Sequence, residues 1–484
     1  MIRFPCLIAA AGIAALLPVA ATAAPPGETE IQFEAQSGET VAAFAGSFTV
    51  PENRLAADSR ELTLSYIRFP ATGDTSGPPI IYLAGGPGGS GIGTARARRF
   101  PLFQAMREFG DVIALDQRGT GQSADVPPCT SSVHVPEDRG VSDSELIRLY
   151  QQALKECVDE WSRQSVDVLG YTTVQNAADL NSLREHLGAE KMVLWGTSYG
   201  SHLALAALKD FEPVIDRVVI SSAEGLDQTV KRPSETDAYF DRLQVAVNTD
   251  AAAAAVLPDI KAMIRSVHAN LDEAPATVTL PAKDGGTTSV VLDRRTIQQI
   301  ASAMIADPEN AVQLLWMYKA VEAGSYEPFQ RVMSYFYSPG EPISFQLMST
   351  MMDVASGISE DRLALVTGEA RDALLGDALN FPMPQLNRTV DGLDLGDEFR
   401  KGPVSDVPTL LLTGTLDGRT YPDGQAEAVA GLSHVTQIMV VNAGHNLFVS
   451  SPDVTARIQA FMRRETVSTD PIVISLPDFG VPQP

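Results

Sequence analysis

Short runs of consecutive apolar residues constrain the fold of this chain more than any other feature. Four of them occupy residues 79–83, 112–115, 192–195 and 218–220. Strands covered on both faces of a sheet have continuous apolar sequences, whereas half-buried strands alternate, as residues 61–66 do. Helical segments separate these runs. The pattern therefore predicts an α/β fold with a mostly parallel sheet between layers of helices.

The apolar pattern changes between about residues 226 and 400. Helical periodicity dominates there, with predicted helices at 294–306, 309–323 and 361–375. A predicted hairpin, 277–280 with 289–292 around a turn at 283–286, interrupts them. Buried-strand runs return at 409–412 and 437–441. A helical block between strands of one type is most simply an insertion into a single α/β core, so we expect a cap over one edge of the sheet.

The amino terminus has the pattern of a secretory signal peptide. Arg3 precedes an apolar run at residues 7–17, and Pro18 and the small residues Ala-Thr-Ala at 21–23 follow. A transmembrane anchor, the alternative, needs about 18–20 uninterrupted apolar residues. We therefore predict a periplasmic or secreted protein, with Cys6 badly placed for a lipid anchor. The expected segments are 1–23 signal peptide, 24–225 first part of the core, 226–400 helical cap, 401–465 second part of the core and 466–484 weakly structured tail.

Charge and cysteine content narrow the possible partners. Lys and Arg number 36 against 60 Asp and Glu, a net charge of −24. Binding to nucleic acid or to anionic membranes relies on clustered cations, so neither is expected after signal removal. An even pair of cysteines in an exported chain suggests a disulfide between Cys129 and Cys157. Two unpaired buried thiols are the alternative.

The strongest chemical signal is the sequence GTSYG at residues 196–200, which follows a buried strand and opens a helix. Glycines on both sides of the serine allow a turn sharp enough to expose the Ser198 hydroxyl above the sheet. A purely structural serine is the alternative. The context favours a nucleophile.

A nucleophilic serine needs a histidine base, and that histidine needs a carboxylate. His445 follows the predicted strand at 437–441, and Asp417 follows the one at 409–412, so both lie at carboxyl ends of strands. The other histidines have less suitable positions in the chain: His134, His186, His202, His268 and His434. His202, one turn beyond Ser198, is expected to pack or hydrogen-bond. Asp406 and Asp423 remain as alternative acids.

The chain order Ser198, Asp417, His445 is the order found in α/β-hydrolases. Ser198 and Asp417 are 219 residues apart, whereas two βα units need roughly 60–70. The additional residues between Ser198 and Asp417 are accounted for by the helical block.

Acyl transfer also requires backbone donors for the oxyanion. The N–H of Tyr199 is one candidate, and the glycine-rich loop at residues 84–91 offers another. That loop also satisfies G-x-G-x-x-G, the dinucleotide fingerprint. Pro87 removes an N–H that a pyrophosphate would need, and no clear helix follows at once, so a nicotinamide-dependent oxidoreductase is disfavoured.

Three motifs together resemble the prolyl iminopeptidase and tripeptidyl aminopeptidase group of α/β-hydrolase serine peptidases. They are AGGPG at 84–88, DQRGTGQS at 116–123 and GTSYG at 196–200. The signal peptide and cysteine pair fit the exported tripeptidyl branch. The resemblance implies about eight strands, a cap between strands six and seven, no metal or organic cofactor, and release of short units from peptide amino termini. It also implies that Gly86 gives the second oxyanion N–H.

The resemblance has one departure and leaves one choice open. Ala84 stands where the family's loop usually begins with histidine, and Asp116 and Arg118 are expected to organise the core beneath the site. A carboxylesterase or lactonase with the same triad is the alternative function, because fold and nucleophile do not choose between ester and amide. A catalytically inactive binding protein is disfavoured, because every triad position is chemically competent.

An aminopeptidase must also recognise the substrate's α-ammonium, and Glu224, at the end of the strand after the serine's helix, is the candidate carboxylate. The alternative role for Glu224 is an ion pair with Arg232 or another cap cation.

Overall fold

The computed structural model describes residues 27–73, 77–136, 139–281, 286–336 and 340–480. The predicted signal peptide at 1–23 lies outside the described residues, as do residues 283–285 of the predicted hairpin turn. Among the described residues, no helix has the length and apolar character needed to cross a membrane.

One large sheet organises the described part of the chain and contains ten strands. In chain order they are β1 (Thr29–Glu34), β2 (Thr40–Pro51), β3 (Glu61–Phe69), β4 (Gly77–Leu83), β5 (Gly110–Leu115), β7 (Met192–Thr197), β8 (Ile215–Ser221), β12 (Thr409–Gly414), β13 (Val435–Val441) and β14 (Ile472–Val473). Their spatial order is β1-β2-β3-β5-β4-β7-β8-β12-β13-β14. The three strands at the amino-terminal edge are antiparallel, and the strands from β5 to β14 are parallel to one another.

Two small antiparallel sheets lie outside the large one. The predicted hairpin forms from β9 (Ala276–Pro281) and β10 (Thr287–Leu292). The other sheet pairs β6 (Cys129–His134) with β11 (Pro342–Phe345) and was not predicted. It joins the core to the inserted segment, since β6 precedes the serine strand and β11 follows most of the helical block.

Helices cover both faces of the sheet and form most of the insertion. They are α1 (Gly91–Arg96), α2 (Phe100–Met106), α3 (Asp143–Arg163), α4 (Thr173–His186), α5 (Tyr199–Phe211), α6 (Pro233–Val247), α7 (Ala251–Val256), α8 (Ile260–Glu273), α9 (Arg294–Met304), α10 (Pro308–Glu322), α11 (Glu327–Phe336), α12 (Leu347–Ser356), α13 (Glu360–Glu369), α14 (Met383–Leu386), α15 (Gly396–Arg400), α16 (Pro422–Ala428) and α17 (Pro452–Met462). Single 3₁₀ turns occur at Gly121–Ser123, Val168–Gly170, Glu212–Val214 and Leu447–Val449.

The core forms on both sides of the sheet because the central strands are apolar on both faces. Leu194 of β7 packs into the cluster on one side, and its neighbour Trp195 packs into the cluster on the other. A third cluster fills the insertion, where helices α6 to α11 pack together. Strands β8 and β12 are neighbours in the sheet, although residues 222–408 separate them in sequence. The insertion therefore leaves the sheet at the carboxyl end of β8, and the chain returns to the amino end of β12, at the opposite end of the strands, because the two strands are parallel.

Three expectations differ from the structure. The sheet has ten described strands rather than about eight, because β1 extends one edge and the two-residue β14 extends the other. The helix predicted at 361–375 ends at Glu369, and the following turns bury Leu374, whose N–H donates to Asp237 Oδ1. The tail is more ordered than expected. The Trp316 indole N–H donates to the Phe479 carbonyl at 2.6 Å, and the Phe479 ring is buried.

Candidate active site

Ser198 lies at a sharp junction between β7 and α5. Its backbone has φ 55° and ψ −129°, a conformation that residues with a Cβ rarely adopt. The flanking glycines are required sterically. A Cβ on Gly196 would lie 2.4 Å from the Gly200 carbonyl oxygen, and one on Gly200 would lie 2.1 Å from the Leu83 carbonyl oxygen. The turn therefore depends on both glycines of the predicted motif.

Asp417 and His445 are adjacent, on the loops after β12 and β13. The His445 Nδ1 lies 3.1 Å from Asp417 Oδ1 and 3.0 Å from Oδ2. Because Nδ1 faces the carboxylate, Nε2 is the nitrogen left for a reacting group. Ser198 and His445 both line one cavity of about 440 Å³, together with Gly85 and Gly86 of the glycine-rich loop at residues 84–91.

The Asp417 carboxylate is fully buried and accepts several hydrogen bonds. The backbone N–H groups of Arg419 and Thr420 donate to it at 2.8 and 2.9 Å, and the Thr420 hydroxyl donates at 2.7 Å. Burial alone would raise the pKa of Asp417, but His445 and these donors hold it below its ordinary value. The carboxylate is therefore oriented and ionised beside the imidazole.

The glycine-rich loop at residues 84–91 is held in place by hydrogen bonds with the DQRGTGQS motif at residues 116–123. Ala84, the departure from the family pattern, is buried, and its carbonyl accepts a hydrogen bond from Gln117 Nε2 at 3.0 Å. The Asp116 carboxylate accepts hydrogen bonds from the Ser90 hydroxyl at 2.6 Å and the Ile92 N–H at 3.0 Å. The loop that carries Gly86 is thus held at both ends. Tyr199 begins α5, where the first N–H groups of a helix have no intrahelical acceptor.

Arg118 has a structural position. Its guanidinium is fully buried and forms a two-point ion pair with Asp179, with both N–O distances at 2.7 Å. It also donates to the carbonyl of Glu52 at 2.6 Å and to that of Gly170. These contacts tie the turn after β5 to α4 and to the end of β2, away from the cavity.

Glu224 lies close to the site but is already paired. Its carboxylate forms an ion pair with Lys231, and its N–H donates to the Ser201 hydroxyl at 2.9 Å. Arg232, the other suggested partner, pairs instead with Glu369 at 2.6 Å. Burial opposes ionisation of Glu224, but the Lys231 ammonium holds its pKa below the ordinary value.

Asp353 of α12 lies within electrostatic range of Glu224, and sequence reasoning missed it. Burial and the nearby Glu224 carboxylate raise the pKa of Asp353 to about 8, against the opposing effects of Lys231 and Arg419. Its carboxyl group has no hydrogen-bond or ion-pair partner within the described ranges. No local motif marks Asp353, because it lies on an apolar cap helix 129 residues after Glu224.

The insertion also contacts the loops that carry Asp417 and His445. A Cβ on Gly418 would lie 2.1 Å from the Ile305 carbonyl oxygen, and one on Gly444 would lie 2.7 Å from that of Ala306. The Asp307 carboxylate accepts hydrogen bonds from the side chain and the backbone N–H of Asn446, at 2.6 and 3.2 Å. The turn between α9 and α10 is thus packed against both loops.

The other candidate histidines and acids lie elsewhere. His202 is fully buried, and its ring contacts the Gly225 carbonyl and the Ser356 hydroxyl, so it packs and hydrogen-bonds as expected. Burial lowers the pKa of His202, which keeps the ring neutral. None of the remaining candidates lines the cavity beside Ser198: His134, His186, His268, His434, Asp406 and Asp423.

Two further features bear on the chemistry. Cys129 and Cys157 form a disulfide, with their Cα atoms 5.6 Å apart. Over the described part of the chain, no cluster of three or more His, Cys, Asp or Glu side chains is suited to a metal ion.

Comparisons place these observations beside known proteins. A family model described as the alpha/beta hydrolase fold matches residues 78–452. Serine protease Hip1 of Mycobacterium tuberculosis is 30% identical over 189 residues, which cover 37% of this chain and 36% of that protein. Tripeptidyl aminopeptidase of Streptomyces lividans is 30% identical over 192 residues, which cover 37% and 34%. A probable proline iminopeptidase of Streptomyces coelicolor is 27% identical over 157 residues, which cover 32% and 36%. The match spans about a third of the length of these relatives.

Proposed function

Because this chain belongs to the alpha/beta hydrolase fold family, we propose that it is an exported serine hydrolase that releases short units from peptide amino termini. The predicted resemblance to the prolyl iminopeptidase and tripeptidyl aminopeptidase group is confirmed by the relatives that it matches. One observation carries the proposal: a strained serine shares a cavity with a histidine that is oriented by a buried carboxylate.

The proposed acylation step uses each side chain once. His445 Nε2 takes the hydroxyl proton as Ser198 Oγ attacks the scissile carbonyl carbon, and Asp417 stabilises the imidazolium that forms. The N–H groups of Tyr199 and Gly86 stabilise the oxyanion of the tetrahedral intermediate. His445 then gives its proton to the leaving amine as the C–N bond breaks, which leaves an acyl-enzyme on Ser198.

Deacylation repeats the sequence with water. His445 takes a proton from water, whose oxygen attacks the acyl carbon, and returns it to Ser198 Oγ as the ester bond breaks. The products are the released carboxylic acid and the free enzyme.

Recognition of a free amino terminus is proposed for Glu224 together with Asp353. Burial raises the pKa of Asp353, and repulsion from the Glu224 carboxylate adds to that rise. A substrate ammonium placed between them would relieve that repulsion and favour ionisation of Asp353. Lys231 already offsets part of the charge of Glu224. Asp353 has no ion-pair partner among the described residues, so it is the acid that an ammonium group could pair with.

An esterase or lactonase remains the second candidate, because the Lys231 ion pair gives Glu224 a structural role that no amine is needed to explain. Export is proposed from the sequence and agrees with the disulfide. The expected partner is a peptide or small ester, with no nucleic acid and no membrane contact after signal removal.

The test combines one nucleophile variant with one recognition variant. Ser198→Ala should lower kcat by on the order of 10⁴-fold or more, without loss of folded structure, and a fluorophosphonate should label only Ser198 in the parent. Glu224→Gln should slow hydrolysis of free-amino peptide amides while sparing small neutral esters. Retained turnover by Ser198→Ala would refute the nucleophile. N-acetylated peptides cleaved as fast as free ones by the parent would favour the esterase.

A further inference from the structure

The cavity beside Ser198 and His445 is positively charged in a strongly acidic protein. Three arginines, Arg98, Arg99 and Arg419, line it, and no described Asp or Glu does. The chain as a whole carries a net charge of −24. The local excess of cations therefore runs against the overall composition.

These guanidinium groups have no carboxylate within ion-pair distance among the residues that are described. Arg419 Nη1 donates to the Ser302 carbonyl at 3.3 Å, and Arg99 donates to the Tyr82 hydroxyl and to Asn446 Oδ1. Arg98 is exposed. Arg419 and Asp353 interact only at longer range. Arginine keeps its charge at every working pH, and its planar fork matches a carboxylate.

The position of the cavity relative to the scissile bond follows from the proton transfers. His445 must protonate the leaving amine, so the leaving segment lies next to its imidazole. His445 and Asn446 line the arginine cavity, whereas Glu224 and Asp353 do not. An amino terminus held at the two acids would therefore leave the segment beyond the scissile bond facing the arginines.

We propose that Arg98, Arg99 and Arg419 bind a carboxylate on the leaving-group side of the scissile bond. The preferred substrates are then short peptides that carry both a free α-ammonium and a nearby anionic group. This inference rests on the proposed hydrolase function. The carboxylate has two sources, the carboxyl terminus of a short peptide and an acidic side chain just after the scissile bond.

The experiment compares matched substrates on the purified mature protein. One short peptide is offered as its C-terminal acid and as its C-terminal amide, and the amide is offered with Gln or Glu directly after the scissile bond. We expect kcat/KM to be at least about tenfold higher for the C-terminal acid, the Glu amide or both. The member of the set that shows the preference identifies the source of the carboxylate.

The variants assign that preference to the arginines. In the double variant Arg98→Gln and Arg419→Gln, the ratio of kcat/KM for the anionic substrate to kcat/KM for its neutral counterpart should fall towards 1. Arg419→Lys should keep much of this preference. Arg331→Gln, which removes an exposed charge on α11 outside the cavity, should leave this preference unchanged. Fluorophosphonate labelling of Ser198 in each variant shows that the nucleophile is retained.

A second substrate pair separates failure of this inference from failure of the peptidase proposal. It consists of 3-carboxyphenyl acetate and 3-carbamoylphenyl acetate, whose leaving groups differ only in charge. An arginine-dependent preference on these esters without peptide hydrolysis would support the carboxylate site and refute the aminopeptidase. No preference on any pair, or a preference that persists in the double arginine variant, would overturn the inference.

Discussion

Ser198, the proposed nucleophile, has a strained backbone. Its φ of 55° and ψ of −129° cost about 1–3 kcal/mol for a residue with a Cβ. Glycine adopts such angles freely but loses about 0.5–1 kcal/mol through unfolded-state entropy. The strain is therefore a local cost of presenting Oγ above the sheet.

Removal of that strain gives the first residue-scale prediction. Ser198→Gly and Ser198→Ala should both be inactive, but the glycine variant should have a free energy of unfolding about 1 kcal/mol higher. Urea unfolding of the two variants measures this difference in the free energy of unfolding. Both variants lack the hydroxyl group, so the comparison does not depend on activity. A glycine variant no more stable than the alanine variant would show that the turn is unstrained.

Asp353 gives a pH-dependent prediction. Burial and the Glu224 carboxylate raise its pKa to about 8, above the value near 3.9 of an unfolded chain. Folding favours the protonated form of Asp353. Its contribution to the free energy of unfolding is therefore fully present below about pH 4 and is lost as the pH rises to about 8. Asp353→Asn should therefore gain stability relative to the parent between pH 5 and pH 9. Urea unfolding at pH 5 and pH 9 tests this. Asp391 is exposed, so Asp391→Asn is the control, and its difference in free energy of unfolding from the parent should be the same at both pH values.

At the scale of elements, the disulfide joins β6 to α3. Because β6 also pairs with β11, where Cys129 lies opposite Phe345, the bridge helps to hold the insertion to the core. A closed loop of 28 residues corresponds to roughly 3–4 kcal/mol in the chain-entropy description.

Removal of the bridge should be measurable in two ways. Replacement of both cysteines by serine should lower the free energy of unfolding by about 3 kcal/mol, with the Ser198 labelling rate nearly unchanged. Thiol titration of denatured, unreduced mature protein should find no free thiol. Two free thiols would refute the bridge in the isolated protein.

At the scale of the whole molecule, the insertion contacts the loops that carry Asp417 and His445. The turn at residues 305–308 packs against the loops of Asp417 and His445, and Asp307 holds Asn446 by two hydrogen bonds. His445, the proposed base, is therefore positioned partly by residues that lie more than a hundred positions earlier in the chain.

Loss of this support should affect the rate more than the fold. Asp307→Ala removes both hydrogen bonds to Asn446 and should lower kcat about tenfold, with a smaller change in KM, because a misplaced base slows proton transfer. Fluorophosphonate labelling should slow in parallel. Asp259→Ala, which removes a helix cap elsewhere in the insertion, is the matched control and should change stability but not labelling. Equal labelling rates in parent and Asp307→Ala would contradict a positioning role.

The sequence by itself was sufficient for the features that depend on local rules. Apolar runs identify the buried strands, because a strand covered on both faces needs apolar residues at every position. The sharp turn at Ser198 can be predicted from sequence because it requires glycine at positions 196 and 200, both within one five-residue motif. The positions of Asp417 and His445 follow from the ends of their strands, since parallel strands present their carboxyl ends at one sheet edge.

Only the tertiary structure decided which side chains meet across the insertion. It pairs Glu224 with Lys231 rather than Arg232, places Asp353 beside Glu224, and gathers Arg98, Arg99 and Arg419 at one cavity. The approach of Asp353 to Glu224 depends on how a cap helix packs against the sheet, and the meeting of the arginines depends on how two core loops pack together. That packing is set by the shapes of buried side chains far apart in sequence, which no local period or motif encodes.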